Sequence, residues 1–313
     1  MFNNILTYCL FYIVALTDLS LGLDKSEECF GKHGIPLDEK SVEMQESVFK
    51  SFHIKYANNV PEAISLQNDG DTLIIGFNYT NGIRPTITMG PVEKIGEFNM
   101  AYIYLHWLEK SHPKFTLGNL SLPAEIHCVF YNSKYSTLAN ASTMENGVVI
   151  LAFPIQTLPF APPLLDDITK HLPMVKMPGD VVYVSDPSRV NLEYLMAKEV
   201  RRFFTYHGTE LMGKCIKDII WFDFVSAVTV QQDFAENVKN MQNSKKIPIM
   251  KNFKATEPRK GVVIKGKPYE SDVDTYSSIP LVDAMDAAVS IEENQTLLKL
   301  MIMVHLISVI SIF

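Results

Sequence analysis

The sequence predicts a mostly-β (α+β) domain carrying a few surface helices, and three observations predict it. Short runs rich in branched and aromatic residues recur along the chain, turn chemistry separates several of them, and helical period is clear in only two places. In order, the strand runs are Thr72–Asn78, Thr86–Met89, Ala101–Trp107, Glu125–Tyr131, Val148–Phe153 and Ile216–Phe224. Asn68-Asp69-Gly70, Thr80-Asn81-Gly82 and Glu145-Asn146-Gly147 supply the turns, since Asn and Gly adopt the positive φ that tight turns need. Apolar residues spaced three and four apart over Pro163–Leu172 and Ser226–Met241 predict helices laid on a sheet.

A chain of 313 residues, 47% apolar and 20% charged, can bury a full core. One domain of about 200–250 residues with terminal segments is the natural partition. Its net charge of -7 argues against nucleic acid as the main partner, because phosphate binding shows itself as a basic excess.

The ends carry their own signals. An apolar block from Ile5 to Ala15 followed by Ser20-Leu21-Gly22 predicts a signal peptide over 1–22. At the other end, 297–313 is an apolar tail with no basic residue after it. Asp286-Ala287-Ala288, a polar spacer and that tail follow the order of a glycolipid-anchor signal, with Asp286 as the attachment point. Ser277-Ser278 is a second placement, and a single-pass helix is the alternative. Residues 23–268 form the predicted domain and 269–296 a stalk. Cys29, Cys128 and Cys215 remain after signal removal, so an oxidising compartment favours one pair with one thiol left over. The sequons at Asn78, Asn119 and Asn140 then predict glycosylated surface loops.

Two strand segments carry more specific information: Ala101-Tyr102-Ile103-Tyr104-Leu105-His106-Trp107 and Ala124-Glu125-Ile126-His127-Cys128-Val129-Phe130-Tyr131-Asn132. Together they resemble the α-carbonic anhydrases, whose H-x-H-W and A-E-L-H-x-V-H-W-N motifs bring three histidines to one zinc. Phe204-Thr205-Tyr206-His207-Gly208-Thr209-Glu210-Leu211-Met212-Gly213-Lys214-Cys215 is similar to the family's W-T-Y-P-G-S-L-T-T-P-P-C, and Trp221 follows in register. Cys29 to Leu37 and Lys251 to Val263 resemble the family's two ends, so the resemblance spans about Cys29 to Gly266.

The resemblance implies a central sheet of about ten strands, largely antiparallel, and a Cys29–Cys215 disulfide. Cys128, next to His127 on a strand, is expected on the opposite face as a small buried hydrophobe. It also implies a dismantled reaction centre. His106 and His127 match two zinc ligands, but Tyr104 stands at the third position, and a phenol must ionise near pH 10 to serve as a ligand. Leu211 and Met212 stand where the family has threonines, the first of which aims the zinc-bound hydroxide. Lys114 replaces the glutamate that orients it, Asp71 the shuttle histidine, and Tyr102 a glutamine behind a ligand. Glu125, which orients the third histidine, is kept. Tyr102, Tyr104 and Phe130 are expected to fill the old cavity. The implied cofactor is none, or zinc held weakly.

Two functions follow. One is a non-catalytic ectodomain binding a protein or glycan at the cell surface, joined to the membrane by its anchor. The other is a divergent zinc-dependent hydratase or esterase. A basic cluster of Lys245, Lys246, Lys251, Lys254, Arg259, Lys260, Lys265 and Lys267 with only Glu257 among them is either a solvated face or a site for sulfated glycans or anionic headgroups.

Overall fold

In the computed structural model, the described residues are 52–107, 124–158, 165–185, 203–212, 214–224 and 226–249, with short stretches at 42–44, 116–117, 120–121, 187, 190, 192–195, 252 and 264–266. The predicted signal peptide, Cys29, Lys114, Asn119, the stalk, Asp286 and the apolar tail lie outside them. All the elements below belong to one unit ending at Lys267.

The strands in chain order are β1 (Val42–Met44), β2 (His53–Lys55), β3 (Ala63–Asn68), β4 (Leu73–Asn78), β5 (Thr86–Met89), β6 (Phe98–Trp107), β7 (Thr116–Leu117), β8 (Leu120–Ser121), β9 (Ala124–Asn132), β10 (Val148–Thr157), β11 (Val181–Ser185), β12 (Phe203–Met212), β13 (Lys214–Phe224), β14 (Val228–Val230) and β15 (Ile264–Gly266). Among the described residues, thirteen of these form one sheet, in the order β1-β15-β12-β13-β10-β9-β6-β4-β3-β11, with β14 beside β10 and β5 joining β2 to β6. Among the described residues only β1–β15, β10–β13 and β10–β14 pair in parallel. The predicted mostly-β class and largely antiparallel sheet are borne out.

The centre of the sheet explains its own sequence. β10 is a near-continuous apolar run because both of its faces are covered. Its Pro154 has no N–H to give a ladder, and it falls where the parallel neighbour changes: β13 pairs with 148–152 and β14 with 155–157. Entry to β10 depends on the Glu145-Asn146-Gly147 turn. Asn146 has φ 52°, and a Cβ on Gly147 would lie 1.9 Å from the Ala141 carbonyl oxygen, so only glycine fits there.

Four α-helices are described: α1 (Leu138–Ala141), α2 (Asp166–His171), α3 (Leu192–Leu195) and α4 (Gln232–Lys239). The helix expected over Pro163–Leu172 appears as α2, continuing into a 3₁₀ turn at Leu172–Val175. The one expected over Ser226–Met241 is corrected. Its first part, Val228–Val230, is strand β14, because Ile155–Thr157 offers a free ladder there, and the helix starts only at Gln232. Among the described residues no helix is long and apolar enough to cross a membrane.

Apolar side chains cover both faces. The larger cluster includes Phe98, Ile103, Leu105, Cys128, Phe130, Phe153 and Phe222. The other holds Tyr104, Val129, Ile150, Tyr206, Ile219 and Trp221, and this second face carries the candidate site. Cys128 is a buried free thiol on the face opposite His127, as expected. Phe130 corrects an expectation. Strand alternation turns it the same way as Cys128, away from the face of His127, and Val129, opposite Tyr102, takes its place there.

Candidate metal centre

Strands β6 and β9 pair antiparallel with Tyr104 opposite His127 and His106 opposite Glu125. Residues two apart on one strand share a face, so this register brings all four to one place. A bulge between Met100 and Tyr102 resets the alternation of β6 so that Tyr102 also points this way. The rings of Tyr104, His106 and His127 form a near-equilateral triangle, with centroid distances of 5.2 Å for Tyr104–His106, 4.8 Å for Tyr104–His127 and 4.7 Å for His106–His127. Tyr102 lies 6.2 Å from Tyr104.

The surroundings fix these rings. Nε2 of His127 lies 2.9 Å from a Glu125 carboxyl oxygen, which sets its orientation, and Trp221 packs edge-on against the same imidazole at 5.3 Å. His106 is held through its backbone. The Asn252 side chain donates to the Leu105 carbonyl at 2.8 Å and accepts from the Trp107 N–H at 2.7 Å, gripping the strand on both sides of the histidine. The Trp107 indole N–H donates to the Ile249 carbonyl at 2.7 Å.

One further polar group was not anticipated from the sequence. Ala152 on β10 is opposite His127 on one side and Asp223 of β13 on the other, so Asp223 continues the row that begins with Tyr104 and His127. The Tyr206 hydroxyl donates to it at 3.0 Å. The signal was present in Ile219-Ile220-Trp221-Phe222-Asp223-Phe224, where one carboxylate interrupts a buried apolar run.

Burial sets the charges. Burial first and the neighbouring His127 second hold His106 well below its ordinary 6.5, and burial lowers His127 from 6.5 to about 3, so both imidazoles are neutral at pH 7. Burial raises Glu125 from 4.5 to about 7. Burial, then the Glu125 charge, hold Asp223 well above its ordinary 3.8 against the opposing hydrogen bond from Tyr206.

These shifts predict an acid-shifted stability maximum. Below pH 6.5 the unfolded chain takes up protons on both histidines that the folded chain refuses, so stability falls toward acid. Above pH 4.5 the unfolded chain loses the Glu125 proton that the folded chain keeps until about 7, and stability falls toward base, by at most about 3 kcal/mol for a side chain 21% exposed. Asp223 adds to the second trend. Denaturant unfolding across pH should peak between about 4.5 and 6.5, and Glu125→Gln should flatten the decline toward pH 7. A stability still rising from pH 6.5 to 8 would contradict this assignment.

The remaining expected site residues are placed as follows. Asp71 is exposed at the β3–β4 turn, its N–H donating to Asp69 at 2.9 Å. Leu211 and Met212 close β12, opposite Cys215 and Lys214 of β13; the side chains of Leu211, Met212 and Cys215 lie outside the described residues. Asn78 at the end of β4 and Asn140 in α1 are exposed, as glycan acceptors must be.

The donor set does not match three-imidazole zinc ligation. Two neutral imidazoles suit a metal, but the third ring is a phenol, and among the described residues no three His, Cys, Asp or Glu side chains come together in a metal-holding arrangement.

A family model described as eukaryotic-type carbonic anhydrase matches residues 23–267. The chain is similar to carbonic anhydrase 7 of Homo sapiens, 24% identical over 210 residues that cover 65% of this chain and 76% of the relative. It is also similar to carbonic anhydrase 6 of Mus musculus, 24% identical over 260 residues covering 81% and 78%. Carbonic anhydrase 12 of Homo sapiens is 28% identical over 140 residues, covering 44% and 38%. With a family match running through most of its length and both strand motifs on adjacent strands, this chain belongs to the eukaryotic-type carbonic anhydrase family.

Proposed function

We propose that this family member is a carbonic anhydrase-related ectodomain that does not hydrate carbon dioxide and acts by binding a protein or glycan partner at the outer cell surface. The observation that carries this reading is the phenol ring of Tyr104 packed against both imidazoles, where hydration chemistry needs a third neutral nitrogen donor. Leu211 supports it, since leucine cannot accept the proton of a metal-bound hydroxide. The apolar leader, the anchor-like end at Asp286, and the exposed sequon asparagines Asn78 and Asn140 support a route through the secretory pathway.

A second reading has its own observation. The Glu125–His127 contact keeps an imidazole oriented as a metal ligand would be, which favours a divergent zinc site using His106, His127 and Tyr104. Elemental analysis of the full chain purified without added metal, paired with a stopped-flow hydration assay, separates the two. The expected result is zinc well below one equivalent and no hydration above buffer. One equivalent of zinc with a pH-dependent hydration rate would overturn the proposal.

A further inference from the structure

Two segments of this acidic protein that meet in the fold carry cations and no carboxylates of their own, with the Asp69–Asp71 turn and Asp180 beside them. Residues 173–178 and 239–249 contain Lys176, Lys239, Lys245 and Lys246 and no aspartate or glutamate. The fold brings these segments together. The Gln242 N–H donates to the Lys176 carbonyl at 2.8 Å, and the buried Asn68 side chain donates to the Lys176 and Gln242 carbonyls at 3.0 Å each. Lys239 ends helix α4, one turn after Glu236, which accepts from Gln232 at 2.9 Å. The nearest following carboxylate, Asp180, accepts from the Met177 N–H at 2.7 Å.

Lys245 and Lys246 sit on a turn that is fixed before any ligand arrives. The Asn243 side-chain oxygen accepts from the Lys245 N–H at 2.9 Å and the Ile247 N–H at 3.4 Å. The Asn243 N–H donates to the Ile247 carbonyl at 3.0 Å, and its carbonyl accepts from the Lys246 N–H at 2.8 Å. Gln242 and Pro248 bridge the base, and Lys246 takes the left-handed conformation with φ 59°. All four lysines are exposed, and among the described residues no ion pair engages any of them.

From this arrangement we propose that the face formed by Lys176, Lys239, Lys245 and Lys246 binds a linear sulfated polysaccharide. A turn whose backbone is already fixed presents Lys245 and Lys246 to sulfate esters without first ordering a loop, which lowers the entropic cost of binding. Charges beyond about 8 Å are screened at physiological salt, so a single polyanion following the lysines meets only the carboxylates beside them, Asp71, Asp180 and Glu236, and not the whole net charge. A planar anionic bilayer would bring more of the net -7 molecule into range. Met174 and Ile247, 60% and 53% exposed, add apolar surface for sugar-ring faces at two separate points. The proposal deepens the binding reading by naming a partner class, and it does not depend on the state of the metal centre.

The test uses the full chain on immobilised heparin, on desulfated heparin, and with vesicles containing phosphatidylserine. Wild type should be retained by heparin at 0.15 M salt and not by the desulfated matrix. The Lys176→Gln, Lys239→Gln, Lys245→Gln, Lys246→Gln variant should lose about tenfold or more in affinity while its thermal unfolding is unchanged. If the fourfold variant fails to fold, Lys245→Gln with Lys246→Gln on the exposed turn should still lower the salt needed for elution. Equal retention of wild type and variant, equal binding to the desulfated matrix, or stronger capture by the vesicles would overturn it. A hydration assay on the same samples reports on the metal centre separately.

Discussion

Replacing Tyr104 with histidine should raise zinc affinity by about 100-fold or more, since it completes a donor set rather than adjusting the groups behind one. The position is prepared for it. Tyr104 lies opposite His127 and shares a face with His106, and its ring is within 5.2 Å of both imidazoles by centroid, so an imidazole from the same backbone would enter the same triangle. Glu125 already holds Nε2 of His127, which leaves Nδ1 as the nitrogen that would face a metal. Burial keeps both existing imidazoles neutral, so metal binding need not displace protons from them at pH 7. Competition with a chromophoric chelator reads the affinity directly. Hydration should remain near background in Tyr104→His and appear only when Leu211→Thr is added, because the single change restores a ligand and not the hydroxyl that aims the nucleophile. A Tyr104→His protein binding no more zinc than wild type would show that the strand register does not define a metal site.

Removing the Trp221 indole should cost about 3–5 kcal/mol, the usual range for deleting a large buried aromatic. Trp221 is 0% exposed, stacks parallel to Tyr206 at 6.2 Å and 8°, and meets His127 edge-on. It also lies directly over Gly208, where an added Cβ would stand 2.9 Å from the indole, so the two residues are shaped to each other. Trp221→Ala opens a cavity beside the candidate centre, between the Tyr206 and His127 rings. Chemical denaturation should show a lower midpoint with an unchanged slope, and Trp221→Phe a smaller loss. A loss below about 1 kcal/mol would mean that the cavity collapses.

What could be read from the sequence was set by where the signal was local. All six strand runs correspond to strands, and the two histidines fall on adjacent strands because their motifs fix residue and register together. β3 carries a weak local signal because Ala63-Ile64-Ser65-Leu66-Gln67-Asn68 alternates correctly but fills its outward positions with poor strand formers. β14 reads locally as part of a helix because three residues carry no period, and only the distant Ile155–Thr157 edge decides their conformation. Phe130 shares the parity of Cys128 along the strand, and that parity puts it in the other core rather than in the cavity beside Tyr104. Asp223 joins the site only through a row of strand partners that no local pattern encodes.

The Asn252 grip on strand β6 also bears on how the molecule is made. Its two hydrogen bonds and the nearby Trp107–Ile249 bond span 142 to 147 residues of chain. Such distant partners cannot meet until translation has delivered nearly the whole domain, so the backbone around His106 is secured among the last events of folding. A ribosome-bound nascent chain halted before residue 252 would therefore carry both histidine strands without the clasp, and protease cutting near Trp107 should diminish only after that asparagine emerges.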